Sequence, residues 1–65
     1  MIMKFWIARD ENGFLGLYRT QPFLNKRDRY NEEWDGDYIS PLPKSFFSEV
    51  TFENSPQEVE IKLVK

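Results

Sequence analysis

Met3-Lys4-Phe5-Trp6-Ile7-Ala8-Arg9-Asp10-Glu11-Asn12-Gly13-Phe14-Leu15-Gly16-Leu17-Tyr18-Arg19 is the stretch whose reading decides the fold. Two apolar runs flank Asp10-Glu11-Asn12-Gly13, and Asn-Gly in that setting is the strongest short-range sign of a β-hairpin. Two registers compete. A two-residue loop of Asn12-Gly13 would pair Glu11 with Phe14, Ala8 with Leu17 and Trp6 with Arg19. A three-residue loop, with Gly13 in the left-handed region, pairs Asp10 with Phe14, Ala8 with Gly16, Ile7 with Leu17 and Trp6 with Tyr18. A slip of one residue exchanges the two faces of the ribbon. The second register gathers Phe5, Ile7, Leu15 and Leu17 on one face, and Trp6, Phe14 and Tyr18 on the other. Matched cross-strand pairs are worth roughly 0.2–1 kcal/mol each, and Asp10 suits the first turn position. The three-residue loop is therefore the expected turn.

Working outward from the hairpin, Thr20-Gln21-Pro22 ends the second strand, because proline donates nothing to a ladder. The charged segment from Phe23 to Asp37 spaces Phe23, Tyr30 and Trp34 near one helical face. With so few apolar positions it reads as a long loop rather than a helix. Asp35-Gly36 marks a turn, with a brief strand or small hairpin around Trp34 and Tyr38. Ser40-Pro41-Leu42-Pro43 is expected to interrupt pairing. Pro43 then opens a single 3₁₀ or α turn through Phe47, tucking one or both of the Phe46 and Phe47 rings under the sheet. Glu49-Val50-Thr51-Phe52-Glu53 alternates as a strand does, and Asn54-Ser55-Pro56 is a turn. Gln57 to Val64 is the clearest strand, with Val59, Ile61 and Leu63 on one face and Glu58, Glu60 and Lys62 on the other. The expected fold is mainly β: one domain over residues 1–65, an antiparallel sheet of about four or five strands built on the N-terminal hairpin, and a short 3₁₀/α turn near Pro43–Phe47.

A chain of 65 residues with no cysteine and no histidine has neither disulfides nor the usual zinc ligands to staple it. Two Trp, three Tyr and six Phe supply large buried areas instead, and association with a second copy is a further source of burial. The net charge of −2 exerts no global pull on nucleic acid or membrane. Nothing resembles a signal peptide or a membrane span, so a cytoplasmic location and no membrane partner are expected.

Chemistry has little to stand on in this composition. Nucleophilic triads lack their base. The carboxylate pairs Glu32/Glu33, Asp35/Asp37 and Glu58/Glu60 lie in polar surroundings that do not tune one of them for acid–base work. The three glycines form no phosphate loop, and Asp35-Gly36-Asp37 lacks the calcium-loop pattern. No catalytic residue, metal or cofactor is assigned, and the chain is read as a non-enzyme. A small hydrolytic or metal-dependent enzyme is the least favoured reading. The leading expectation is a protein-interaction module, self-associating or binding another protein, through a surface of Trp6, Phe14, Tyr18, Phe23, Tyr30 and Trp34. The alternative is single-strand nucleic-acid binding through Arg9, Arg19, Lys26, Arg27 and Arg29 with stacking on Trp6 or Tyr18. Against it stand Asp28, Glu32 and Glu33, which dilute the cluster, and a pI of about 5.0.

Trp6-Ile7-Ala8-Arg9-Asp10 with Asn12-Gly13 and Leu17-Tyr18, followed by Pro22, Trp34 and the tail Val50-Thr51-Phe52-Glu53-Asn54-Ser55-Pro56 with Val59-Glu60-Ile61, resembles a diffuse group of short bacterial and phage-associated proteins with no established activity. That resemblance implies a compact β-rich fold and a mobile-element setting. It transfers no functional residue.

Overall fold

A computed structural model describes residues 2–26 and 32–62. Six strands form among the described residues: β1 (Ile2–Arg9), β2 (Leu15–Tyr18), β3 (Phe23–Lys26), β4 (Glu32–Asp35), β5 (Tyr38–Leu42) and β6 (Gln57–Lys62). Four make an antiparallel sheet in the order β5-β2-β1-β6, and β3 and β4 make a separate two-stranded ribbon. The described residues contain no helix.

The N-terminal hairpin takes the three-residue register. Trp6 faces Tyr18, Ile7 faces Leu17 and Ala8 faces Gly16. The Asp10 amide donates to the Phe14 carbonyl (2.8 Å), and the Gly13 amide donates to the Asp10 carbonyl (2.9 Å). Gly13 sits at φ +95°, the left-handed conformation that this turn demands and glycine accepts without a Cβ clash. β6 lies along β1 for six residues, from Ile2 opposite Lys62 to Ile7 opposite Gln57. This pairing closes the fold between the two ends of the chain.

One face of the sheet carries the core: Ile7, Leu15 and Val50 are buried, with Leu17, Leu42 and Val59 packed against them. Val50 comes from the long connection between β5 and β6, which lies over this face. Two expectations for that connection are corrected. Glu49–Glu53 is not a strand but a series of turns. The Thr51 amide donates to Asn54 Oδ1 (2.8 Å), the Asn54 amide to Thr51 Oγ1 (3.2 Å) and Asn54 Nδ2 to the Glu49 carbonyl (2.8 Å). Local side-chain bonds of this kind compete with a ladder and here replace it. The single turn expected at Pro43 forms, with the Phe46 amide donating to the Pro43 carbonyl (3.0 Å). Phe46 and Phe47 do not tuck under the sheet; both rings are exposed, at 50% and 41%.

Two further corrections concern the middle of the chain. Phe23–Asp37 is not simply a long loop, since β3 and β4 pair within it, Leu24 opposite Trp34 and Lys26 opposite Glu32. Polar cross-strand contacts hold this ribbon: Lys26 Nζ lies 3.5 Å from Glu32 Oε1, and Asn25 Nδ2 donates to Asp35 Oδ2 (3.2 Å). Ser40-Pro41-Leu42 does not interrupt pairing either. Pro41 is a regular member of β5 opposite Gly16, because β5 is an edge strand and an edge tolerates a missing donor. The C-terminal strand keeps the predicted alternation, but its apolar face is only partly covered: Val59 is half-buried, Ile61 is 51% exposed, and Leu63 lies outside the described residues.

Candidate functional site

The aromatic face of the hairpin is the first place to look for a platform, and the chain covers most of it. Tyr18 is 3% exposed. Its ring folds back over Gly16, where an added Cβ would come within 3.1 Å of the ring. Its hydroxyl donates to the Trp34 carbonyl of the β3–β4 ribbon (3.2 Å), and the Tyr38 ring meets it edge to face at 5.8 Å. The phenol is pushed up to about 12, chiefly by burial and then by the negative charges of Asp10, Asp35 and Glu33.

The ribbon is docked a second time by Asp10, whose Oδ1 accepts the Trp34 amide (2.9 Å). Burial raises the Asp10 pKa, the hydrogen bond from Trp34 opposes that rise, and the charge of Glu33 adds to it. Trp34 also packs its ring against Phe52 at 6.3 Å, and its indole Nε1 is buried without an acceptor.

These contacts redraw the expected interaction surface. Tyr18 is core; Trp6, Phe14 and Trp34 are half-buried; Phe23 is exposed; Tyr30 lies outside the described residues. The five described residues do not converge on a single open face. Of the proposed nucleic-acid contacts, the described Arg9, Arg19 and Lys26 are each engaged by neighbouring groups. Arg19 Nε sits 3.4 Å from Asp37 Oδ2, and Lys26 pairs with Glu32. Arg27 and Arg29 lie outside the described residues.

Arg9 has a different role from the one its charge suggested. It projects from β1 onto the core face and donates to five backbone carbonyls. Nε reaches Val50 (2.6 Å), Nη1 reaches Gly13 (2.9 Å) and Lys44 (3.1 Å), and Nη2 reaches Phe46 (2.8 Å) and Phe47 (3.2 Å). A guanidinium has five N–H donors in a rigid fork, so these carbonyls take its whole capacity. The Arg9 amide itself donates to Ser55 Oγ (2.9 Å). The hairpin therefore grips the β5–β6 connection at both ends.

What that grip presents is the pair Phe46–Phe47. The rings meet edge to face at 6.3 Å. Phe47 adopts φ +51°, a conformation that a bulky side chain rarely takes and that costs of order 1–3 kcal/mol. Beside Phe47 runs a groove of about 450 Å³ with Ile7, Val50 and Val59 on its floor. A second groove, about 530 Å³, lies between the hairpin turn and Ser48–Glu53 and is bordered by Asp10, Glu11 and Glu53. Among the described residues, no three acidic, cysteine or histidine side chains come together to hold a metal ion. Sequence reasoning missed the Phe46–Phe47 site because two consecutive phenylalanines in a small chain look like core. The nearby Pro43-Lys44-Ser45 turn was the available sign that the backbone reverses there and turns the rings outward. Compared with family models, curated proteins and solved structures, the chain matches none.

Proposed function

We propose that the protein is a non-enzymatic interaction module whose contact point for a protein partner is the Phe46–Phe47 loop. One observation carries this reading: Phe47 is held at φ +51° and stays 41% exposed beside Phe46, itself 50% exposed. The strained backbone is a cost to the isolated chain, and a glycine at this position would remove it. Two adjacent aromatic rings on a rigid turn have the character of interface anchors, which are enriched in aromatic side chains and pre-organised so that little entropy is lost on docking. The apolar-floored groove beside Phe47 offers a place for a complementary side chain of the partner.

The test is site-specific photo-crosslinking in the native host, with the reactive residue placed at Phe46 and, as a control, at the exposed Glu53. A discrete protein adduct is expected from position 46, lost when Phe47→Ser is added, and absent from position 53. Equal labelling from both positions would overturn the proposal. Phe47→Gly is expected to raise the melting temperature while weakening the adduct, which would separate the loop's function from its stability.

A further inference from the structure

The two edges of the four-stranded sheet are not equivalent. β5 is blunted by Pro41 and by a register shift opposite Leu17 and Tyr18, both of which obstruct the addition of another strand. β6 is six residues long, contains no proline, pairs with β1 without interruption and, among the described residues, has no strand on its other side. An edge of that kind is a template for strand addition.

We propose that β6 pairs antiparallel with β6 of a second copy, with a two-fold axis passing through Ile61, so that two sheets join into one. The choice of occupant rests on charge complementarity. A two-fold axis normal to the sheet keeps like faces together, so each register is defined by the residue that meets itself. Centred on Glu58, Glu60 or Lys62, the pairing opposes that charge to itself. Centred on Val59, it sets Glu58 against Glu60 twice. Centred on Ile61, it sets Glu60 against Lys62 twice and Ile61 against Ile61. Within Glu58–Lys62 this register alone has no like-charge contact, and opposite charges directly across a ladder stabilise it.

The monomer leaves these groups available. Glu60, Ile61 and Lys62 are exposed, and the ion pair of this strand joins Lys4 to Glu58 (3.8 Å), leaving Glu60 and Lys62 outside the ion pairs among the described residues. The surface is separate from the Phe46–Phe47 loop, so either proposal can fail alone. Strand addition over so short an edge buries less than a standard interface, and the dimer is accordingly weak and concentration-dependent.

The experiment is sedimentation of the intact chain from micromolar to near-millimolar concentration, with circular dichroism to verify folding. Wild type should dimerise. Lys62→Glu opposes Glu60 to a new glutamate and should weaken association by roughly tenfold or more. Glu60→Lys should do the same by opposing two lysines. An equimolar mixture of the two single variants restores both opposite-charge pairs and should form a heterodimer, and the double variant E60K/K62E should dimerise with itself. The double variant also keeps the new lysine opposite Lys4, so its recovery separates a lost dimer contact from a damaged β1–β6 pairing. A wild type that stays monomeric throughout, a dimer indifferent to Lys62→Glu, or no recovery in the mixture and the double variant would each overturn the proposal.

Discussion

Asp10 carries two opposing demands on one carboxylate. Its Oδ1 must accept the Trp34 amide to dock the ribbon, while burial and the nearby charge of Glu33 disfavour ionisation and raise its pKa above 3.8. A carboxyl whose pKa is raised on folding favours the folded state most when protonated. That contribution is complete below the unfolded value and is lost as pH rises through the folded value. At neutral pH the ionised Asp10 therefore works against stability. An asparagine keeps the acceptor oxygen and carries no charge. Asp10→Asn should accordingly melt at a higher temperature than the parent at neutral pH, with the difference shrinking as pH falls through the raised folded value toward 3.8. Thermal melts across that range check the sign, and a variant less stable at neutral pH would show that the charged acceptor's stronger hydrogen bond wins.

At the scale of elements, the hairpin turn depends on backbone conformation rather than on space. An added Cβ at Gly13 would meet nothing closer than Lys44 Cδ at 4.0 Å, yet φ is +95°. Gly13→Val should therefore cost roughly 1–3 kcal/mol in urea denaturation, and Gly13→Asn distinctly less, since asparagine tolerates positive φ. Equal costs would mean that the turn is not strained by chirality. This element was legible in the sequence because apolar alternation, Asn-Gly and cross-strand matching all point to one register. β6 was legible for the same reason. The β3–β4 ribbon was not, because its pairing runs through Lys26–Glu32 and Asn25–Asp35, contacts that apolar periodicity does not register. The Val50 segment failed in the opposite way: its alternation imitates a strand, while Thr51 and Asn54 bind their own neighbourhood. Of the proposed contact loop, composition supplies the aromatic side chains but not which of them are exposed. Burial of Tyr18 and exposure of Phe46 and Phe47 depend on where the β5–β6 connection lies, and no local pattern encodes that.

Taken as a whole, the molecule is elongated, 47 × 22 × 18 Å. Its buried core is small, with Ile7 and Leu15 the largest fully buried side chains. A chain of this length has roughly 3–10 kcal/mol of stability in total, so a single polar group that joins two layers can decide whether they stay together. Arg9 is that group. It links the turn at Gly13 to the carbonyls of Lys44, Phe46, Phe47 and Val50, and so holds the covering connection onto the sheet. Arg9→Met keeps an apolar stem and removes every donor. Water can replace the guanidinium at the exposed Phe46 and Phe47 carbonyls but serves the part-buried Val50 carbonyl poorly, so the expected cost is roughly 2–4 kcal/mol rather than the sum of five bonds. The pattern of loss is as diagnostic as its size. Amide exchange should accelerate at Phe46 and Val50, whose amides close the turns of the connection, while the amides that pair β1 with β2 keep their protection relative to the global unfolding limit. If exchange instead rises uniformly through sheet and connection, the two layers unfold as one unit and Val50 packing, not Arg9, is what joins them.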